Sequence, residues 1–129
     1  MKYDRKRRPM FDTRPLVYIA GPYTQGDPVL NTREAVRWGE EIEAKDCDVV
    51  IPHLTMLWHL VSPAPIERWY ARDLALLARC DAIVRFPGLS GGADKEVEFA
   101  RERSIPTFIV VSIPAFWIEF DRWVEETGN

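Results

Sequence analysis

Phe86-Pro87-Gly88-Leu89-Ser90-Gly91-Gly92-Ala93-Asp94-Lys95-Glu96-Val97-Glu98-Phe99-Ala100 is the stretch on which the reading of the fold turns. It follows the apolar run Ala82-Ile83-Val84 and passes into a helical pattern with apolar positions at Val97 and Ala100. It therefore reads as strand, glycine-bearing loop and helix start. Such a junction is where open α/β sheets bind ligands. Gly88, Gly91 and Gly92 permit positive φ and close backbone approach, and the unpaired amides of a helix's first turn favour an anion or a polar group. Ser90 adds a hydroxyl, and Glu96 is expected in that first turn beside the ligand. A plainer account of the same residues has Ser90 capping the helix, with Asp94 and Glu96 complementing its dipole.

Upstream, Pro15-Leu16-Val17-Tyr18-Ile19-Ala20 is a short apolar run ended by Gly21-Pro22, as expected of a buried parallel first strand. The exit from Gly21 to Pro28, with Tyr23 and Thr24 inside it, is longer than a minimal connection requires, and extra length at that end of a strand usually serves function. A helix capped by Asn31 is expected to run to about Lys45, burying Ala35, Trp38, Gly39 and Ile42. Asp48 to Pro52 reads as the second strand. His53 to Val61 reads as a loop or short helix over the sheet's carboxyl edge, cut off by Ser62-Pro63-Ala64-Pro65. His53 and His59 have no thiol or carboxylate at ligand spacing, so packing or substrate contact is expected and a metal is not.

The helix from Ile66 to about Cys80 holds the second oddity. Its apolar face, Ile66, Trp69, Tyr70, Leu74 and Leu77, also takes in Asp73. A carboxylate there is costly unless it is paired or bound. Either an arginine such as Arg68, Arg72 or Arg85 neutralises it, or it stands in a pocket where desolvation raises its pKa toward proton-transfer work. Asp81 to Phe86 is the third strand, and Ile105 to Val111 reads as a buried fourth. A last helix follows through about Glu126, rich in aromatics at Phe116, Trp117, Phe120 and Trp123, an excess that fits core packing or a dimer contact. The alternation implies an α/β fold: an open parallel sheet of four to five strands with helices on both faces, a Rossmann/flavodoxin-like three-layer sandwich.

At 129 residues the chain makes one core. Residues 15–129 are expected to form the domain, and residues 1–14 a flexible basic arm. Net charge is −3, but residues 2–14 carry a balance of +4 and the remainder −7. An acidic body argues against nucleic acid as the main substrate. No apolar run approaches a membrane span or a signal peptide, so a cytoplasmic protein without membrane attachment is expected. Cys47 and Cys80 are too few for a disulfide scaffold.

Three segments in order carry a resemblance: Tyr18-Ile19-Ala20-Gly21-Pro22-Tyr23, Asp73 ahead of Cys80-Asp81, and Ser90 to Ala100. Together they resemble the nucleoside 2-deoxyribosyltransferase-like superfamily, including its nucleoside 5′-monophosphate N-glycosidase branch and small bacterial and phage relatives, over about Leu16 to Val111. The resemblance implies that Glu96 is a nucleophile attacking the anomeric carbon, with Asp73 and Tyr18 positioning the sugar and assisting the departing base. It implies a substrate site around Gly21, Pro22, Tyr23, His53, Ser90, Gly91 and Gly92, with Ser90 at a 5′-phosphate. The implied partner is a nucleoside or nucleotide, with no cofactor and a homodimer or higher homo-oligomer. N-glycosidic chemistry agrees, since it needs one carboxylate at the sugar and a proton source toward the base.

The sequence departs from the monophosphate branch where that branch offers an arginine after the first strand. Here stand Tyr23-Thr24, with Arg33, Lys95 and loop amides as substitutes for binding phosphate. The chain also shows no counterpart of the transferases' C-terminal contribution to the site. Two rivals are a phosphoribohydrolase of the lysine-decarboxylase-like type, whose Pro-Gly-Gly-x-Gly-Thr-x-x-Glu loop resembles Pro87 to Glu96, and a nucleotide-binding sensor without turnover.

Overall fold

The run from Val17 to Ala20 is buried on every residue, which only a strand covered on both faces can satisfy. A computed structural model describes residues 14–128 and places that run in β1 (Leu16–Ala20). The other elements are α1 (Pro28–Glu43), β2 (Asp48–Val50), a 3₁₀ turn (Pro52–Leu54), α2 (Thr55–Val61), α3 (Ile66–Leu77), β3 (Ala82–Arg85), α4 (Gly91–Glu102), β4 (Thr107–Ile109) and α5 (Ile113–Gly128). The strands form one parallel sheet in the order β2-β1-β3-β4. The fold is the expected open α/β sandwich. Alternate residues of β1 feed its two cores. Val17 and Ile19 pack with Ala35, Trp38 and Ile42 of α1 and with Phe116 and Phe120 of α5. Tyr18 and Ala20 pack with Leu77 of α3 and with Ala93, Val97 and Ala100 of α4.

Several boundaries differ from the sequence reading, each for a local reason. α1 starts three residues before Asn31, because Asp27 accepts from the Val29 and Leu30 amides and Pro28 needs no amide partner at the first helical position. Asn31 instead ties the preceding loop, its Nδ2 donating to the carbonyls of Tyr23 and Gln25. The expected buried strand from Ile105 to Val111 is a three-residue edge strand, with Ile109 45% exposed and Val111, beyond its end, 89% exposed. The aromatics of α5 pack inward: Phe116 and Phe120 are buried, Trp117 stacks on Trp38, and Trp123 meets Phe108. Arg14, counted with the basic arm, is anchored to the fold. Its Nη2 donates to the carbonyls of Glu43 and Cys47. Residues 1–13 of that arm lie outside the described residues. No helix among the described residues is long and apolar enough to cross a membrane.

The order β2-β1-β3 makes β1 the switch point, so the loops leaving β1 and β3 diverge around a crevice at their carboxyl ends. Two glycines interlock these loops. A Cβ on Gly21 would lie 2.1 Å from the Phe86 ring, and one on Gly88, whose φ is +125°, would lie 2.5 Å from Pro22. Gly91 and Gly92 have no atom within 4 Å of such a Cβ, so their small size is not a packing requirement.

Gly21→Ala is therefore expected to destabilise the fold by about 3 kcal/mol through overpacking against Phe86. Gly92→Ala should be neutral or stabilising, because alanine is the better helix former. Urea midpoints of the two variants check this contrast. Equal midpoints would show that Phe86 moves aside freely.

Candidate active site

Glu96 is the sixth residue of α4, in the second turn rather than the first, and only 7% exposed. Ser90 caps the helix through its hydroxyl to the Ala93 amide, and Asp94 is the acidic residue of the first turn. Asp94 takes Arg85, whose Nη2 lies 3.0 Å from its carboxylate and also donates to the Gly88 carbonyl. The dipole reading thus holds for Ser90 and Asp94. It fails for Glu96, which faces the sheet, where the Tyr18 hydroxyl donates to its Oε2.

That hydrogen bond is buried, and its two members are set by different forces. Burial, the Glu96 and Asp73 charges and the bond to Glu96 push the Tyr18 phenol far above its ordinary range. Tyr18 is thus a permanent hydrogen donor. Burial pushes Glu96 up to about 7, with the Asp73 charge adding and Tyr18 and Arg85 pulling it back down. Asp73, on α3, is pushed up to about 7 as well, by burial against the lowering effect of Arg72. Two carboxyls that titrate near neutrality and repel each other titrate as a pair.

Asp73 has none of its expected arginine partners. Its Oδ1 is buried without a hydrogen-bond partner, and among the described residues it makes no ion pair. Arg85 is committed to Asp94. Arg68 lies over the Trp58 and Trp69 rings, and Arg72 over Trp58.

Asp73 and Glu96 line one cavity of about 680 Å³ at the switch-point crevice, within the usual range for small-molecule sites. The same wall includes Gly21, Tyr23, His53, Ser90, Gly91 and Gly92. Two residues expected in the site stand behind the wall. Tyr18 acts through Glu96, and Pro22 packs on Gly88 while its carbonyl holds His53 Nε2 at 2.8 Å. Neither Arg33 nor Lys95 reaches the cavity, and among the described residues its wall carries no lysine or arginine. No group of three or more His, Cys, Asp or Glu able to hold a metal exists among the described residues.

The sequence reading missed most of the wall that α2 and α3 supply: Thr55, Ile66, Trp69 and Tyr70; His59, expected to pack or to contact a substrate, lines the cavity beside them. Ile66, Trp69 and Tyr70 read as core because they share the apolar stripe of α3, yet Ile66 is 70% exposed. The signal was Asp73 itself. Trp69 and Tyr70 precede it by four and three residues, so a face that turns Asp73 to a cavity turns them there too. His59 is fixed by the Trp69 indole, whose Nε1 donates to its Nδ1 at 2.8 Å.

Residues 15–110 match the model of a protein family described as a domain of unknown function (DUF7768). No curated protein matches the chain.

The raised Asp73 pKa carries a stability consequence with a definite sign. A carboxyl raised from 3.8 to about 7 on folding contributes stability that is complete below about pH 4 and lost as pH rises through about 7. Asp73→Asn removes the charge that burial penalises. Its melting temperature should exceed that of the wild type at about pH 8, with the gap closing toward about pH 4. A variant less stable than wild type at about pH 8 would mean that Asp73 has a stabilising cationic partner.

Proposed function

We propose that this chain, which belongs to the family described as a domain of unknown function (DUF7768), breaks the N-glycosidic bond of a nucleoside through Glu96. The observation that carries this reading is the buried Tyr18–Glu96 hydrogen bond in the same crevice as an unpaired Asp73 carboxyl. The resemblance of the three sequence segments to nucleoside 2-deoxyribosyltransferase-like proteins supports it independently.

The two carboxyls divide the chemistry. With one proton shared near neutrality, the reactive form has Glu96 ionised and Asp73 protonated. The Tyr18 hydroxyl favours that form, because its hydrogen bond stabilises the Glu96 carboxylate. Glu96 attacks the anomeric carbon, the C–N bond breaks, and Asp73 supplies the proton that the leaving base requires. The resulting glycosyl ester on Glu96 is opened by water, or by a second base when one is present, and the proton that this nucleophile gives up returns to the Asp73 carboxylate. Glu96 then returns to its carboxylate.

The wall favours a substrate without a 5′-phosphate, against the role that the resemblance gives Ser90. The Ser90 hydroxyl accepts from the Ala93 amide and keeps one hydrogen to donate, but the charges lining the cavity are carboxyls, with no lysine or arginine among the described residues of its wall. A phosphate dianion there would face two acidic groups without the arginine fork that usually clamps it.

Incubating the full chain with nucleosides and their 5′-monophosphates, and measuring free base by chromatography, tests the reading. Base release is expected, with the free nucleoside giving the higher kcat/KM. Glu96→Ala should lower the rate by about a thousandfold or more while the protein remains folded. An active, folded Glu96→Ala protein would refute the nucleophile.

The pH profile gives a second check. Activity should rise as Glu96 loses its proton and fall as Asp73 loses its own, producing a bell centred near pH 7. In Asp73→Asn the residual activity should keep the acid limb and lose the alkaline one. An unchanged bell would remove Asp73 from the proton transfer.

A further inference from the structure

The sheet has two edge strands, β2 and β4, and they are finished differently. At β2 the Asp48 carboxylate lies 3.6 Å from Arg14, and charge is a common guard of a free edge. β4 has no such guard, since no residue from Ile105 to Ile118 is charged. Pro106 does not guard it either, because its carbonyl accepts from the Ile83 amide and so faces β3. Uncharged apolar surface of this kind is what contact regions between proteins share.

The backbone groups that β4 leaves free follow from its register. Ile83 stands opposite Thr107 and Arg85 opposite Ile109, while the Ile83 amide reaches the Pro106 carbonyl and the Val110 amide the Arg85 carbonyl. Pro106, Phe108 and Val110 therefore turn their backbone groups toward β3. Thr107 and Ile109 turn theirs away from the sheet, and no described residue bonds them. The side chains alternate between the two faces. Phe108, half-buried, packs on Phe116, Phe120 and Trp123 of α5. Ile109 lies on the α4 face, in a groove of about 720 Å³ that it shares with Val111 and with Val97, Glu98 and Arg101 of α4.

We propose that β4 is the contact between two copies of this chain: their edges pair antiparallel about a two-fold axis at Phe108 and join two four-stranded sheets into one. Thr107 then exchanges both backbone hydrogen bonds with the partner's Ile109, and Ile109 with the partner's Thr107. Three features of the edge fit a second copy. Its free backbone groups are symmetric about Phe108. Its apolar side chains meet apolar ones, Phe108 against the partner's Phe108 and Val111 against the partner's Ile105. Its charges are self-complementary as well. Glu98 and Arg101 are one helical turn apart on α4, both exposed, and neither makes an ion pair among the described residues. The two-fold axis turns α4 end for end, which sets Arg101 opposite the partner's Glu98. Neither β4 nor these two charges line the crevice, so the pairing is independent of the glycosidase reading.

Sedimentation velocity of the full chain over a range of concentrations tests the pairing. A reversible species of twice the 14.9 kDa chain mass is expected. Ile109→Lys, which sets a charge on the edge, should raise its dissociation constant by about tenfold or more. Glu98→Arg and Arg101→Glu should each weaken it by about threefold or more, and the two together should restore it, because the swap regenerates the pair. In the dimer the Thr107 and Ile109 amides should exchange hydrogen about tenfold more slowly. A chain that stays monomeric at its highest soluble concentration overturns the proposal and leaves the edge to an extended segment of another protein. A dimer unchanged in folded Ile109→Lys also overturns it, and places the contact elsewhere, as on the exposed apolar residues of α2. If Ile109→Lys does not fold, the charge reversals decide, since they lie at exposed helical positions. Single reversals without effect refute the antiparallel two-fold.

Discussion

The hydrogen bond from Tyr18 to Glu96 is the contact around which both the core and the crevice are arranged. Tyr18 lies on the central strand, fully buried, and belongs to the core beneath α3 and α4. Its hydroxyl is the one polar point on that strand's inner face, and an unpaired phenol there would cost what any buried polar group costs. Glu96 resolves that cost, and Tyr18 in turn makes a nearly buried carboxylate tolerable. The pairing fixes the rotation of α4 about its own axis. Ser90, Gly91 and Gly92 then fall on the cavity wall, and Asp94 falls on the outside within reach of Arg85.

The site was partly legible in the sequence. Glu96 drew notice because it follows a glycine loop at a strand-to-helix junction, and Tyr18, at home in a strand, only through the family resemblance. Asp73 was legible because a carboxylate is out of place on an apolar helical face. The three-layer fold was legible too, because buried parallel strands are nearly continuous apolar runs and each was bounded by turn residues. What failed was local and positional. The Asp27-Pro28 helix start lost to Asn31 because both are good caps, and only the loop's path decides between them. β4 was read as buried from its composition, although an edge strand can have the same composition. Partner choice was not legible either: Arg85 was as good a partner for Asp73 as for Asp94 until the turn at Gly88 placed it.

Stability and site chemistry pull in opposite directions around the crevice. Asp73 Oδ1 and His53 Nδ1 are both acceptors left without protein partners, and Asp73 and Glu96 both carry pKa values that burial raises. A fold selected only for stability would pair these groups or replace them with apolar ones. Their retention in one cavity, next to well-satisfied neighbours such as Arg85, separates a site from a packing defect. Arg85 shows what satisfaction looks like in this protein: the Phe86 and Gly88 carbonyls and the Asp94 carboxylate surround its guanidinium.

The cavity's two sides are held by different forces. On the side of β1, β3 and α4, burial and the interlocked Gly21 and Gly88 loops leave little freedom. On the other side α2 has no buried residue at all, and Leu57, Leu60 and Val61 are largely exposed. A seven-residue helix without a buried face is not stable by itself. It is placed by the Trp69 indole bonded to His59, by the edge contact of Trp58 with Trp69, and by Arg68 and Arg72 over the Trp58 ring. Such contacts fix direction with little burial, which puts α2 at the low end of the molecule's local stability. The rigid side therefore carries Glu96, whose proposed attack requires fixed geometry, while Asp73 reaches the cavity from α3. The side with least burial carries His59 and the aromatic surface of Trp69 and Tyr70, which on the proposed reading accommodates the ligand and lets it leave.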